Sequence, residues 1–386
     1  MLDFNYYNPA KIVFGKDSIN QLEQLLKEND VHNLLLIYSG EFIKDLGIYQ
    51  KVVEAAEKLN IGLWENGNVT PNPSVELVRE LVANGKQNNI DFILAVGGGS
   101  SIDTAKAVAL GIPYDGDVWD FYSEGAVPEE VISIGAISTL PASGSETSNA
   151  SIISNGEWKL GFEDDRIIPK FAIMNPEYTL GLPAFQTAAG VADIISHLLE
   201  RYFSDVANTD VTDFLIEGAL KAILVNGQKV IDNPSDINAR SEVQWVATIA
   251  HNNLLDTGRI GDWGSHRIEH ELSAQYGLTH GEGMAIVFPA WIRYVARIKP
   301  HKLSQLAVRV FGADVYTNTE EQIALGLADT LEEYFDGLGL RTHLSQLDIS
   351  GAHFNDMAIR GTRNGSVGHY VPIDKETFIK ILNIAL

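Results

Sequence analysis

Short apolar runs interleaved with amphipathic stretches fill the first 180 residues and then stop, and no other feature limits the fold of this chain so tightly. The runs are residues 34–38 (LLLIY), 92–96 (FILAV), 131–138 (VISIGAIS) and 171–174 (FAIM), and residues 12–14 add an N-terminal strand. Helical patterns lie between them at 48–59, 74–89 and 102–110, the second entered by Pro73 and a capping Ser74. Strands alternating with helices demand crossover connections and so a mostly parallel sheet. Nearly continuous apolar strands fit a sheet covered on both faces.

Beyond Pro183 the strand signal disappears. Segments 184–203, 210–226, 236–257, 263–276, 283–297, 300–311 and 320–338 carry helical spacing. The expectation is an α/β domain over residues 1–180 and an all-helical domain over 181–386. With 386 residues, 45% of them hydrophobic, the chain has length for about two domains. A net charge of −23 speaks against nucleic-acid binding, which needs clustered Lys and Arg. No run reaches the ~18–20 apolar residues of a membrane span, and the first residues lack a basic-then-apolar leader pattern. The expected location is the cytoplasm. There is no cysteine, so any metal must be held by His, Asp or Glu.

The run at 92–96 leads straight into Gly97-Gly98-Gly99-Ser100 and then a helix. Glycines let a diphosphate approach the backbone, and a helix N-terminus offers free N–H groups and a positive dipole end. Ser100 could cap that helix or bond a phosphate oxygen. A plain glycine-rich turn is the alternative; three consecutive glycines exceed what a turn needs, which favours an anion cradle. A second polar loop, residues 139–146, follows the next strong strand. Ligands bind outside the carboxyl ends of parallel strands, so both loops point to one crevice.

In the second half, Asp193 and His197 stand at i and i+4, and His266 and His270 repeat that spacing before His280. Residues four apart share one helix face. A carboxylate and imidazoles without thiolate suit Fe²⁺ or Zn²⁺. Each histidine alone is unremarkable; the pairing with Asp193 carries the reading.

Taken in order, Gly97–Ser100 with Asp103 and Lys106, the Ser143-Gly144-Ser145-Glu146 loop, Asp193-x-x-x-His197, His266 and His280-Gly281 resemble the iron-containing alcohol dehydrogenases, in the butanol dehydrogenase and aldehyde reductase branch. The likeness runs from Phe14-Gly15 to about residue 345. It implies a dinucleotide-binding domain, a helical domain, and a metal and nicotinamide meeting in a cleft between them. It implies four metal ligands, Asp193, His197, His266 and His280, with Asp193 also shaping the charge of the reacting centre. It implies a diphosphate cradle at Gly97, Gly98, Gly99 and Ser100. Asp103, Thr139, Leu140 and Ser143 fall with the cofactor, and Lys159 near its ribose, although residues 154–168 form a short, acidic segment unlike the family pattern. His270 matches a histidine beside nicotinamide and substrate, as a proton relay or a plain helix-face residue. The loop 363–369 could line the cleft or lie on the surface; surface is the expectation.

The implied activity is hydride transfer between NAD(P)H and a small aldehyde or primary alcohol, with a divalent ion polarising the substrate oxygen, in a homodimer. Ser39 and Gly40 end the strand 34–38, where the adenosine ribose is expected. NAD-specific relatives resemble one another in an Asp at the position of Gly40, so the resemblance favours NADP(H), although Glu41 could replace that carboxylate and Lys44 could meet a phosphate. Alternatives of the same architecture are a dehydroquinate-synthase-like or glycerol-phosphate-dehydrogenase-like enzyme, or a non-catalytic nucleotide-binding protein. A phosphate-binding rival needs a Lys/Arg cluster at its pocket, for which Arg259 and Arg267 are the main candidates.

Overall fold

A computed structural model describes all residues, 1–386. Two units separate within it, Tyr7–Leu182 and Pro183–Leu386, the latter joined by Met1–Tyr6.

The first unit holds all eight strands: β1 (Lys11–Phe14), β2 (Asn33–Tyr38), β3 (Gly62–Asn66), β4 (Phe92–Gly97), β5 (Ser133–Ser138), β6 (Ala150–Asn155), β7 (Trp158–Glu163) and β8 (Phe171–Met174). Its helices are α1 (Leu22–Glu28), α2 (Phe42–Asp45), α3 (Ile48–Leu59), α4 (Val75–Gln87), α5 (Gly99–Gly111) and α6 (Asp120–Ser123). Six strands form one parallel sheet in the order β1-β8-β5-β4-β2-β3. The period of two sends Leu35, Ile37, Ile93 and Ala95 into one core and Leu34, Leu36, Phe92 and Leu94 into another, so both faces are covered. Each such Leu, Ile or Phe side chain contributes about 1.5–3 kcal/mol by leaving water. The Ser74 cap forms, its Oγ accepting from Leu77 N at 3.3 Å.

Helices α1, α2 and α6 lie outside the pattern read from sequence, and three further departures stand out. β3 is a half-buried edge strand whose GLWEN lacks an apolar run. The acidic segment beyond residue 150 is an antiparallel hairpin, β6–β7, pairing Ser154 with Lys159. Helix α5 begins at Gly99 with Gly98 as its N-cap, so Ser100 lies inside the first turn and caps nothing. The glycines need only the first turn, where N–H groups have no intrahelical acceptor anyway.

The second unit is helical: α7 (Ala184–Tyr202), α8 (Asp210–Asp232), α9 (Ile237–Ala250), α10 (Gly264–Tyr276), α11 (His280–Val295), α12 (His301–Phe311), α13 (Glu320–Gly337), α14 (Phe354–Gly361) and α15 (Lys375–Ile384). α8 runs six residues past the expected end, through Gly227, which packs against Tyr334 and Val191 so closely that a Cβ would stand 2.7 Å from each. α9 stops at Ala250, before Asn253 turns left-handed at φ 66°. Residues 187–202 of α7 are buried on every side, and its apolar face joins α11 in one core. No helix is long and apolar enough to cross a membrane.

Candidate active site

In the sheet unit, β2 connects outward to β3 while β4 connects the other way to β5, so the order reverses between β2 and β4. That reversal opens a crevice at the carboxyl ends of the two strands, the usual dinucleotide position. Ser39 and Gly40 end β2 there, and Gly97, Gly98, Gly99 and Ser100 end β4. Gly40 has φ +74° and donates its N–H to Gly67 O at 3.3 Å.

The second loop lies directly against the first. Thr139 N donates to Gly97 O at 3.0 Å. A Cβ at Gly98 would stand 3.2 Å from Leu140 Cβ, and one at Gly99 2.5 Å from Ser143 Oγ. The glycines thus serve close packing between the loops as well as exposing first-turn N–H groups. Asp103, one turn into α5, accepts from Ser145 Oγ at 2.6 Å and Ile152 N at 3.1 Å. Buried Lys106 donates to Ser145 Oγ, Ser148 O and Ala150 O at 2.8–2.9 Å. Burial lowers its ammonium to about 8, opposed by the charges of Asp103 and Glu146. Lys159 is buried on β7, and its charge acts on Asp103. Asp103 and Lys106 therefore tie α5 to the loop and the hairpin, a role that sequence alone does not reveal. The backbone of residues 97–100 at the N-terminus of α5 is what fits a diphosphate. Gly98→Val would drive a branched side chain into Leu140 and over the helix N-terminus; NADPH affinity, measured by nicotinamide fluorescence, is expected to fall at least tenfold with metal content unchanged. Wild-type affinity would remove the loop from cofactor binding.

In the helical unit, Asp193 and His197 on α7, His266 on α10 and His280 at the start of α11 bring their ligand atoms within 4.8 Å of one another. Asp193 Oδ1 lies 3.6 Å from His197 Nδ1 and 3.5 Å from His280 Nε2. Donors about 2.0–2.3 Å from one tetrahedral ion are roughly 3.3–3.8 Å apart. His197 Nδ1 and His266 Nε2 are buried without a hydrogen-bond partner, a cost that coordination removes. Burial, reinforced by His251 and His266, holds His197 well below its ordinary pKa; burial and His280 lower His266 to about 3. Neutral imidazoles are the ligating form. The cluster fits a divalent ion.

Two buried carboxylates stand behind the imidazoles. Glu200 accepts from His266 Nδ1 at 2.8 Å, His266 N at 3.0 Å and Trp263 N at 2.6 Å. Trp263 achieves this in a left-handed conformation, φ 63°, rare for a bulky residue. Its ring also packs against His266 and under the Arg201 guanidinium. Glu269 contacts His280 Nδ1 and Ser273 Oγ. Each carboxylate orients a ring so that Nε2 faces the cluster. Glu200 and Glu269 were not picked out from the sequence. The available signal was spacing: Glu200 lies seven residues beyond Asp193 on one helix face, and Glu269 three beyond His266. Burial pushes Glu200 up to about 8. Glu200→Gln keeps one acceptor oxygen but puts an amide donor where the second oxygen receives an N–H; metal affinity by chelator competition is expected to drop about 10- to 100-fold with the fold retained. Unchanged affinity would leave Glu200 a packing residue.

His270, one turn beyond His266, is half-buried, with its ring 5.7 Å from that of His280. His251 joins the cluster from the end of α9, 4.4 Å from the His197 ring. In the loop after α14, residues 363–366 are exposed as expected, but the following stretch is fastened down: Tyr370 N donates to Asp262 Oδ1 at 2.7 Å and His369 N to Asp262 O at 3.1 Å. Burial, then the charge of Glu200, raises Asp262 to about 7. Arg259 is consumed internally by Asp213, Thr209 and the Arg201 carbonyl.

Residues 9–176 match the family described as iron-containing alcohol dehydrogenase, and residues 187–386 match the C-terminal region of the same family. The likeness therefore continues well past residue 345. The chain is 37% identical to NADH-dependent butanol dehydrogenase A of Clostridium acetobutylicum over 99% of both chains, and 34% identical to the NADPH-dependent aldehyde reductase YqhD of Escherichia coli over 91% of both. The crystal structure of a Thermotoga maritima NADH-dependent butanol dehydrogenase A superposes with a TM-score of 0.95 at 33% identity, covering 100% of this chain and 99% of that one. With the ligand cluster, the glycine loop and similarity along its whole length, this chain belongs to the iron-containing alcohol dehydrogenase family.

Proposed function

We propose that this protein interconverts a small aldehyde and its primary alcohol, using a nicotinamide cofactor and one divalent metal ion. The convergence of Asp193, His197, His266 and His280 is the observation that carries the reading. A divalent ion held by these four would polarise the carbonyl oxygen as a Lewis acid, and the nicotinamide would supply the hydride. The chain's own residues do the rest. Glu200 and Glu269 hold His266 and His280 as neutral rings in fixed orientation. Asp193 offsets ion charge and favours release of the product oxygen. His270 relays the proton that converts the reduced carbonyl to a hydroxyl, the aldehyde taking up one hydride and one proton overall. Residues 97–100 hold the diphosphate, with Asp103, Thr139, Leu140, Ser143 and Lys159 around the cofactor. Metal analysis of the purified protein beside an aldehyde panel with NADH and NADPH tests this; turnover unaffected by complete metal removal would overturn it.

Relatives of both cofactor types exist, named NADH-dependent and NADPH-dependent. For this chain we assign NADP(H). Gly40 carries no carboxylate to repel a 2′-phosphate, and Glu41 is paired with Lys44 at 2.5 Å. Gly40→Asp, at a left-handed position that Asp tolerates better than most residues, is expected to lower kcat/KM for NADPH and raise it for NADH. A wild-type preference for NADH that the substitution leaves unchanged would refute the assignment. A homodimer is the proposed assembly, checked by light scattering for twice the single-chain mass. The sugar-phosphate alternative is disfavoured by the internal commitment of Arg259.

A further inference from the structure

The last turn of α7 buries an arginine, whose guanidinium loses its hydration there and must find partners. Arg201 Nε donates to Asp256 Oδ2 at 2.9 Å, and Nη1 donates to the carbonyl of His197 at 3.2 Å, one turn back on the same helix. Those bonds settle the buried charge. Arg201 does more than that: its Cζ lies over the Trp263 indole, 4.7 Å from the ring centroid. Trp263 is the N-cap of α10, three residues before His266, and it holds φ 63°. A bulky residue keeps a left-handed conformation only where its surroundings impose it. Trp263 N donates to Glu200 Oε2 at 2.6 Å while its indole rests under Arg201. The residues just before it run close along α7 at the same place. Asp262 N donates to Glu200 O at 2.9 Å, and a Cβ at Gly261 would stand 2.9 Å from that oxygen and 3.3 Å from Arg201 Cα.

We propose that Arg201 is a positioning residue for the metal centre: it pins the Trp263 indole, the Trp263 N–H fixes one oxygen of Glu200, and the other oxygen of Glu200 aims His266. This rests on the metal site proposed above. The final link is short, with Glu200 Oε1 at 2.8 Å from His266 Nδ1 and 3.0 Å from His266 N. Without Arg201 the strained turn at Trp263 relaxes and carries its N–H away from Glu200. The carboxylate then turns, and His266 Nε2 loses its aim at the other ligands. Arginine suits this position and lysine does not. A planar guanidinium donates in its plane to Asp256 and His197 and rests over the indole at the same time, whereas an ammonium is a compact point charge that cannot hold all three.

The test measures Zn²⁺ affinity by chelator competition in wild type, Arg201→Met, Glu200→Gln and the double variant, with far-UV circular dichroism as the check on folding. Arg201→Met is expected to lose about tenfold, the lower end of what an orienting group behind a ligand costs. The double variant is expected to bind Zn²⁺ no more weakly than Glu200→Gln alone, because residues acting in one chain of contacts do not add. The visible absorption bands of the Co²⁺-loaded protein, which follow ligand geometry, are expected to change in Arg201→Met. Wild-type affinity in the folded variant, unchanged Co²⁺ bands, or a double variant that shows both losses in full overturns the positioning role. Should Arg201→Met fail to fold, Arg201→Lys, which keeps the charge, is expected to lose affinity severalfold and to change the same bands. Wild-type binding by Arg201→Lys would show that positive charge suffices and would overturn the proposal. A wild type that binds no divalent ion instead overturns the metal site itself, and so separates the two failures.

Discussion

His266→Ala and His280→Ala are each expected to lose the metal and to cut turnover about a thousandfold or more. Lewis-acid polarisation supplies several kcal/mol of transition-state stabilisation, and each ~1.4 kcal/mol is a factor of ten. Each substitution also takes a hydrogen-bond partner from a buried carboxylate, Glu200 behind His266 and Glu269 behind His280. Metal content by elemental analysis and kcat with saturating NADPH and butanal give the readout, with far-UV circular dichroism as the check on folding. Wild-type turnover by metal-free His280→Ala would overturn the mechanism.

Gly281→Ala is expected to do nearly as much damage without touching a ligand. A Cβ at Gly281 would stand 1.9 Å from the carbonyl oxygen of Ala189, a backbone atom of α7 that cannot swing away. The first turn of α11 must retreat, and His280, its first residue, goes with it. Overpacking of this kind costs about 1–3 kcal/mol. A second glycine guards the same turn, since a Cβ at Gly283 would meet Glu269 at 2.8 Å. Added metal stabilises only a folded state that can bind it. The thermal midpoint of Gly281→Ala is therefore expected to fall and to lose most of the rise that metal gives the wild type. A full metal-induced rise would mean that α11 accommodates the methyl group without moving His280.

These two glycines also mark the limit of what the sequence discloses. The parallel sheet was legible because β2, β4, β5 and β8 are buried on both faces and read as apolar runs. β3 was not, because an edge strand with Trp64 and Glu65 carries neither a run nor a clean alternation. The β6–β7 hairpin left one signal, Gly156 at φ 58° opening the two-residue turn between Asn155 and Trp158, but its strands mix Ser, Lys and Glu with their apolar residues and form no run. In the site, the spacing of Asp193 and His197 declared a shared helix face, whereas Glu200 and Glu269 looked like ordinary helix surface. Their burial is a tertiary fact: it exists only once α10 and α11 pack against α7. The residues after 345 looked foreign for a similar reason, since their tie to the site runs through Asp262 and the backbone of Tyr370 rather than through a motif.

The ligand set draws on three helices far apart in the chain, and this has a kinetic consequence. An ion bound there acts as a cross-link between α7, α10 and α11, so it can be acquired only after those helices have docked. Its escape, in turn, needs at least one ligand to swing clear. His280 is the least buried of the four and sits on a helix terminus, where fraying is cheapest. Metal exchange should thus be paced by transient opening of the first turn of α11, and amide hydrogen exchange at residues 280–284 should slow in step with ion residence time.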